Sequence, residues 1–182
     1  MSESFEHIAE LVITAPEPFG ALMAYRTRCR TTVGALTQLI AEAKQHVIIA
    51  APFMQSGYGL SSGTLADALR AALHRRVNVD ILSTSQSQQT INREHLILNS
   101  SGTLRFFQAA AHFENCQQLG SHAKFCVADG QRAYVGSANL TGPGLSTQVE
   151  MGILIGGAVA QQIEQFWEYA VEIGLFLLVT SE

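Results

Sequence analysis

Charge is what this chain has least of. Only 14% of its 182 residues are Asp, Glu, Lys or Arg, against about 25% in a typical soluble domain. Basic side chains number eleven, all between Arg26 and Arg132, and the closing fifty residues hold five acids and no base. The net charge of −4 argues against a protein that coats nucleic acid without specificity, although a local basic surface in the first two-thirds stays open. Cysteine is scarce too: Cys29, Cys116 and Cys126 follow no disulfide framework, which reads as free thiols in a reducing compartment. Long apolar runs are also missing. The start MSESFEHIAELVITAPEP has no basic n-region and no apolar core, and the late LFLLV is too short to span a bilayer. These absences point to a cytoplasmic protein without stable membrane association.

Apolar residues, by contrast, reach 47%. So little charge on so much apolar side chain implies exposed hydrophobic surface, which an oligomer interface explains economically and an apolar monomer explains more plainly.

Periodicity divides the chain into one α/β domain, preceded by a short N-terminal helical segment over residues 1–32. Phe5, Ile8, Ala9, Leu11 and Val12 fit a helix that Pro16 and Pro18 end. Val33, Leu36, Leu39, Ile40 and Ala43 fit a second helix. HVIIAAPF is a buried strand stopped by Pro52. After the loop SGYGLSSG, Leu65, Ala68, Leu69, Ala72 and Leu73 mark a helix capped by Ser62 or Thr64. VNVDIL alternates as a strand, so a βαβ unit with parallel strands follows. STSQSQQT reads as a loop, Ile91 to Leu98 as a helix, Thr103 to Phe107 as a strand and QAAAHFENCQQLG as irregular. VEMGILI is a strand, and a helix from Ala158 to Ile173 ends at Gly174. Its Glu164, Glu168 and Glu172 read as a solvated face. The expected architecture is a mixed, largely parallel central sheet flanked by helices.

Chemistry concentrates in SHAKFCVADGQRAYVGSANLTG, from Ser121 to Gly142. Asp129-Gly130 between two β-rich runs is a hairpin signal. With those two as the loop, Ala128 pairs with Gln131, Lys124 faces Val135 and His122 faces Ser137. His122, Lys124, Ser137 and Asn139 then share one side, Phe125 and Tyr134 the other, and Asp129 is a turn residue. Such groups suit a phosphodiester. An imidazole can attack phosphorus, while an ammonium and an amide hold the non-bridging oxygens. A second imidazole is needed to protonate the leaving oxygen, and no other His-x-Lys occurs in the chain. A second copy of His122 across a two-fold axis would supply it.

His122, Lys124, Asp129, Gly136, Ser137 and Asn139 at this spacing, with Glu150 eleven residues later, resemble the HKD motif of the phospholipase D superfamily. The likeness runs from about Val33 to Gly174 and includes the strand ending in AAPF. It implies a catalytic domain over residues 33–182, a homodimer with one shared site, and a phosphohistidine mechanism with neither metal nor cofactor. It also implies roles. His122 is the nucleophile and the partner's His122 the acid. Lys124 and Asn139 bind the phosphate with support from Ser137, Glu150 orients the imidazole, and Asp129 and Gly136 are structural. Gln148 stands where the family often has Asn. The opening segment and GILIGGAVAQQIEQFWEYAVEIGLF resemble the phospholipase D-like protein of DISARM anti-phage systems, implying defence-system partners.

The expected function is a metal-independent nuclease acting on DNA or RNA. A phospholipase or phosphatidyl-transfer enzyme, and a nucleic-acid-binding or scaffolding defence component, are the alternatives. Other residues carry two readings each. Tyr58 can stack on a base or serve as a plain turn aromatic; Arg26, Arg28 and Arg30 can touch phosphates or form a solvated face. His112 and Phe113 can line a groove or belong to an ordinary loop, and Cys116, His122 and Cys126 match no zinc spacing.

Overall fold

Alternation along the strand His46–Ala50 sets the layers: Val47 and Ile49 enter one core, Ile48 and Ala50 another. The computed structural model describes residues 9–111, 114–115 and 118–180. Its first half runs β1 (Ala9–Thr14), α1 (Phe19–Thr27), β2 (Arg30–Thr31), α2 (Thr32–Glu42), β3 (His46–Ala50), α3 (Thr64–His74) and β4 (Asn78–Leu82). Next come α4 (Ser85–Gln88), α5 (Arg93–Ile97), β5 (Leu104–Ala109), β6 (Glu114–Asn115) and β7 (Gln118–Leu119). The chain continues through β8 (Phe125–Ala128), β9 (Arg132–Gly136), β10 (Glu150–Gly156), α6 (Ala158–Glu172) and β11 (Phe176–Leu178).

Nine strands form one sheet in the order β11-β5-β4-β3-β8-β9-β10-β1-β2. The expected βαβ unit is present, with β3 and β4 parallel through α3, and β4 parallel to β5. Yet β3–β8, β8–β9, β9–β10, β10–β1 and β11–β5 are all antiparallel. The sheet is therefore mixed, as expected, but not largely parallel. After β5 the strands pair antiparallel, β8 and β9 joined by a tight hairpin, and α6 carries the chain from β10 back to the far edge at β11.

Helices α2 and α3 cover one face over Leu36, Leu39, Ile40, Leu69 and Leu73. Helix α6 covers the other, where Trp167 meets Phe107 edge-on at 5.0 Å and stacks on Phe176 at 5.5 Å. A seat of this kind is worth roughly 3–5 kcal/mol against alanine.

Several local readings are corrected. The helix expected over Phe5 to Val12 is a strand from Ala9 onward, because β10 offers a free edge and Val12 packs into the core opposite Gly152. STSQSQQT contains α4, whose hydroxyls face the end of β3: Ser83 Oγ donates to Ala51 O at 2.6 Å, and Ser87 Oγ to Pro52 O at 2.9 Å. Helix α3 starts after Gly63 with no side-chain cap, where Ser62 or Thr64 was expected. Part of QAAAHFENCQQLG is strand, while His112, Phe113 and Cys116 lie outside the described residues. No helix among the described residues is long and apolar enough to cross a membrane.

Glu164 is not on a plain solvated face. Its Oε1 lies 3.9 Å from His46 Nδ1, and His46 Nε2 lies 3.0 Å from the fully buried Asp80. Arg105 donates two bonds to the same Asp80 carboxylate, at 2.7 and 2.8 Å. Burial pushes Asp80 up, but His46 and Arg105 outweigh it and hold the carboxyl below its ordinary 3.8. A depressed carboxylate contributes stability that is present above its unfolded pKa and is lost as pH falls through the folded one. Asp80→Asn is expected to lower stability near neutrality by roughly 2 kcal/mol and to blunt further loss on acidification below about pH 4. Urea titrations across pH check this; parallel acid profiles for the two proteins would contradict it.

Candidate active site

Asp129 and Gly130, at φ 53° and 62°, form the turn that the dipeptide predicts, closed by Gln131 N–H donating to Ala128 O at 3.0 Å. The strands do not resume at once. Ala128 pairs with Arg132 rather than Gln131, so Gln131 is an extra residue between turn and ladder. Its carbonyl accepts from Gly157 N at 3.2 Å, fixing the entry to α6. The expected register is thereby shifted by one. Phe125 faces Val135, Tyr134 faces Cys126, and Gly136 N donates to Lys124 O at 3.2 Å. Phe125 and Tyr134, expected together, lie on opposite faces. Lys124 does not face Val135, and neither His122 nor Ser137 lies within the paired strands.

The hairpin is clasped from outside. The Asp129 carboxylate accepts from the backbone N–H of Lys44, Gln45 and His46, at 2.8, 2.9 and 2.8 Å. One turn side chain thus ties the β8–β9 hairpin to the start of β3.

Lys124 is only 7% exposed, and among the described residues no carboxylate lies within ion-pair distance of it. Its Nζ donates to His122 O at 3.0 Å and lies 3.3 Å from Nδ1 of the His122 ring. Burial pushes the ammonium below its ordinary 10.5, and the charge of Glu150 offsets part of that. His122 itself is exposed and lines an open groove with Val135, Gly136, Val159 and Phe166.

Ser137 Oγ donates to Glu150 Oε2 and accepts from Met151 N at 3.1 Å, while Ser137 N donates to Met151 O at 3.0 Å. Asn139 is half-buried, and its Oδ1 is buried without a hydrogen-bond partner. Gly136 leaves room for the buried Tyr134: a Cβ there would stand 2.2 Å from the phenol oxygen. Gly152 is constrained likewise, with 2.4 Å to the same ring. Burial, with a smaller push from Glu150, raises the Tyr134 phenol. Tyr134 was not singled out in the sequence, and the Gly136–Gly152 pairing that makes its slot has no signal there.

Other candidates lie elsewhere. Arg30 pairs with Glu10 at 3.5 Å and donates to Gln38, whereas Arg26 and Arg28 stay exposed at the end of α1. Cys126 is buried in the core, its thiol pushed up to about 12 by desolvation. Such a thiol is neither nucleophile nor ready ligand.

Similarities to known proteins bear on the family and the fold. A sequence model of the family described as cardiolipin synthase, PLD-like domain, matches residues 36–170. No curated protein sequence matches. The fold resembles NucT from Helicobacter pylori, with TM-score 0.65 and 14% identity, covering 92% of this chain and 97% of that one. It also resembles Nuc from Salmonella typhimurium, a phospholipase D family member, at TM-score 0.63 and 17% identity, covering 97% and 100%. Phosphatidylserine synthase from Haemophilus influenzae gives 0.62 and 13%, covering 94% of this chain but 40% of that one.

A buried ammonium without a counter-ion costs stability. Lys124→Met is therefore expected to unfold at equal or higher urea concentration than the parent, by about 1 kcal/mol in its favour. A large loss would mean that the bonds of Lys124 hold the fold instead.

Proposed function

Because the chain belongs to the phospholipase D superfamily, its residues 36–170 matching the PLD-like domain, we propose that it is a phosphodiesterase of nuclease type. In this reading it cleaves DNA or RNA through a phosphohistidine, without metal, at a site shared by two copies. The observation that carries this is Lys124, a nearly buried ammonium with no carboxylate in ion-pair distance among the described residues, held against an exposed imidazole.

The chemistry follows from those groups. One His122 nitrogen attacks phosphorus as the bond to the leaving oxygen breaks, and the partner's His122 protonates that oxygen. Water then attacks the phosphohistidine, the partner's His122 taking its proton, and the P–N bond breaks. The Lys124 ammonium and the Asn139 amide hold the non-bridging oxygens as charge shifts onto them. Glu150, which accepts from Ser137, orients the imidazole. The mechanism needs one imidazole neutral and the other protonated, so activity is bell-shaped in pH with values that belong to the pair.

The second copy has a surface to occupy. Leu11, Ile153 and Val135 are register partners across β1, β10 and β9, and all are exposed, as is Met151 at 60%. Val159 and Phe166 of α6 extend this strip to the groove beside His122. An apolar line across the middle of a sheet calls for a partner. The likeness of the chain's ends to the DISARM protein supports a place in phage defence.

A second reading is favoured by α1, which buries none of its residues and exposes Phe19, Leu22 and Met23 ahead of Arg26. Exposed apolar side chains next to a basic residue can contact a lipid surface, which phosphatidyl transfer would require. Binding to anionic liposomes, lost with Leu22→Asp, would shift the assignment that way.

The direct test is cleavage of labelled single- and double-stranded DNA and RNA in EDTA beside His122→Asn. Cutting by the parent alone is expected, with at least a thousandfold loss in the variant. Equal cutting by both, or none in EDTA with restoration by a divalent cation, would overturn the mechanism. Independently, Ile153→Glu is expected to sediment as a monomer and to lose activity with its dimer. A dimer that persists would clear this face of the role.

A further inference from the structure

The loop between β3 and α3 is pinned on several sides. Met54 bridges to Leu140, Leu140 N donates to Phe53 O at 3.2 Å, and Gly142 N donates to Gln55 Oε1 at 3.0 Å. Ser61 Oγ donates to the carbonyls of Gln55 and Tyr58, at 3.0 and 2.9 Å. Gly59, at φ +57°, lies so close to Leu140 O that a Cβ would stand 2.8 Å from it. On this fixed loop sits Tyr58, whose ring packs on Gly142, where a Cβ would meet it at 3.0 Å, yet which stays 49% exposed. A plain turn aromatic has no need of such a clamp.

Tyr58 is placed with respect to the chemistry. Gly142, which it touches, is three residues beyond Asn139, so at most about 11 Å of extended chain separates them. Its ring also walls a groove of about 250 Å³ with Ser62, Thr64, Ser146, Val33, Leu65 and Leu145, and no charged residue of either sign lines that groove. An open aromatic face beside apolar walls and hydroxyls suits an unstacked base rather than the phosphates of a strand. Bases within a duplex are already stacked and have no face to offer.

Resting on the nuclease reading, we propose that Tyr58 is the stacking platform for a base a nucleotide or two from the scissile phosphate, and that it selects single-stranded substrate. The test measures binding of a fluorescein-labelled DNA oligonucleotide, single-stranded and as its duplex, by anisotropy in a His122→Asn background. Tyr58→Ala is expected to weaken single-strand binding about tenfold while leaving duplex binding nearly unchanged, and Tyr58→Trp to restore it. The parent is assayed in parallel on a small diester, bis(4-nitrophenyl) phosphate, and the urea-unfolding midpoint of Tyr58→Ala is expected to match that of the parent. That control separates stacking from a damaged fold. Unchanged single-strand binding in Tyr58→Ala, or an equal loss on duplex, overturns the proposal. If the His122→Asn protein binds no oligonucleotide while the parent hydrolyses the small diester, platform and nuclease reading fall together. If binding depends on Tyr58 but the parent cuts no strand, the platform stands and the nuclease reading alone falls.

Discussion

The carboxylate of Asp129 collects the N–H groups of Lys44, Gln45 and His46, and the two halves of the sheet meet at that clasp. On one side β3, β4 and β5 run parallel; on the other β8, β9 and β10 run as a meander. Their only seam among the described residues is the β3–β8 ladder, from Val47 opposite Ala128 to Ala50 opposite Phe125. Since β8 ends where β3 begins, the chain just before β8 must lie at the far end of β3. His122 and Lys124 are there, and so are the loop holding Tyr58 and the turn held by Ser83 and Ser87. The carboxylate that the likeness treated as structural therefore helps to set where His122 and Lys124 lie, without touching them.

At that end the protein accepts a cost. Lys124 is desolvated with only the charge of Glu150 to offset part of the cost, the Asn139 oxygen is buried with no donor among the described residues, and α1 exposes its apolar side chains. In a chain with 14% charged residues each is conspicuous, because few charges remain to compensate it. At the opposite end the accounts balance: Asp80 is fully buried but bound by Arg105 and His46.

Much was legible from residues alone. Strands His46–Ala50 and Asn78–Leu82 and helices Thr32–Glu42 and Ala158–Glu172 follow from the pattern of their apolar residues. The first strand does not. Ala9–Thr14 fits helical spacing as well as a strand, and only the open edge of β10 decides between them. The hairpin shows the boundary most sharply. Asp129-Gly130 specified its turn, but the extra residue Gln131 follows from the need of α6 for a carbonyl at Gly157. That demand is made by a helix far away in sequence.

What the sequence by itself determined is the list of candidate site residues, the turn chemistry and the alternation that builds two apolar layers, all consequences of neighbours along the chain. Tertiary structure alone decided the β8–β9 register, the burial of Lys124, the Tyr134 slot over Gly136 and Gly152, and the position of Tyr58 against Gly142. Each of these depends on which distant backbone a residue meets, and on what that meeting leaves without water or without a partner. Neither is encoded in spacing.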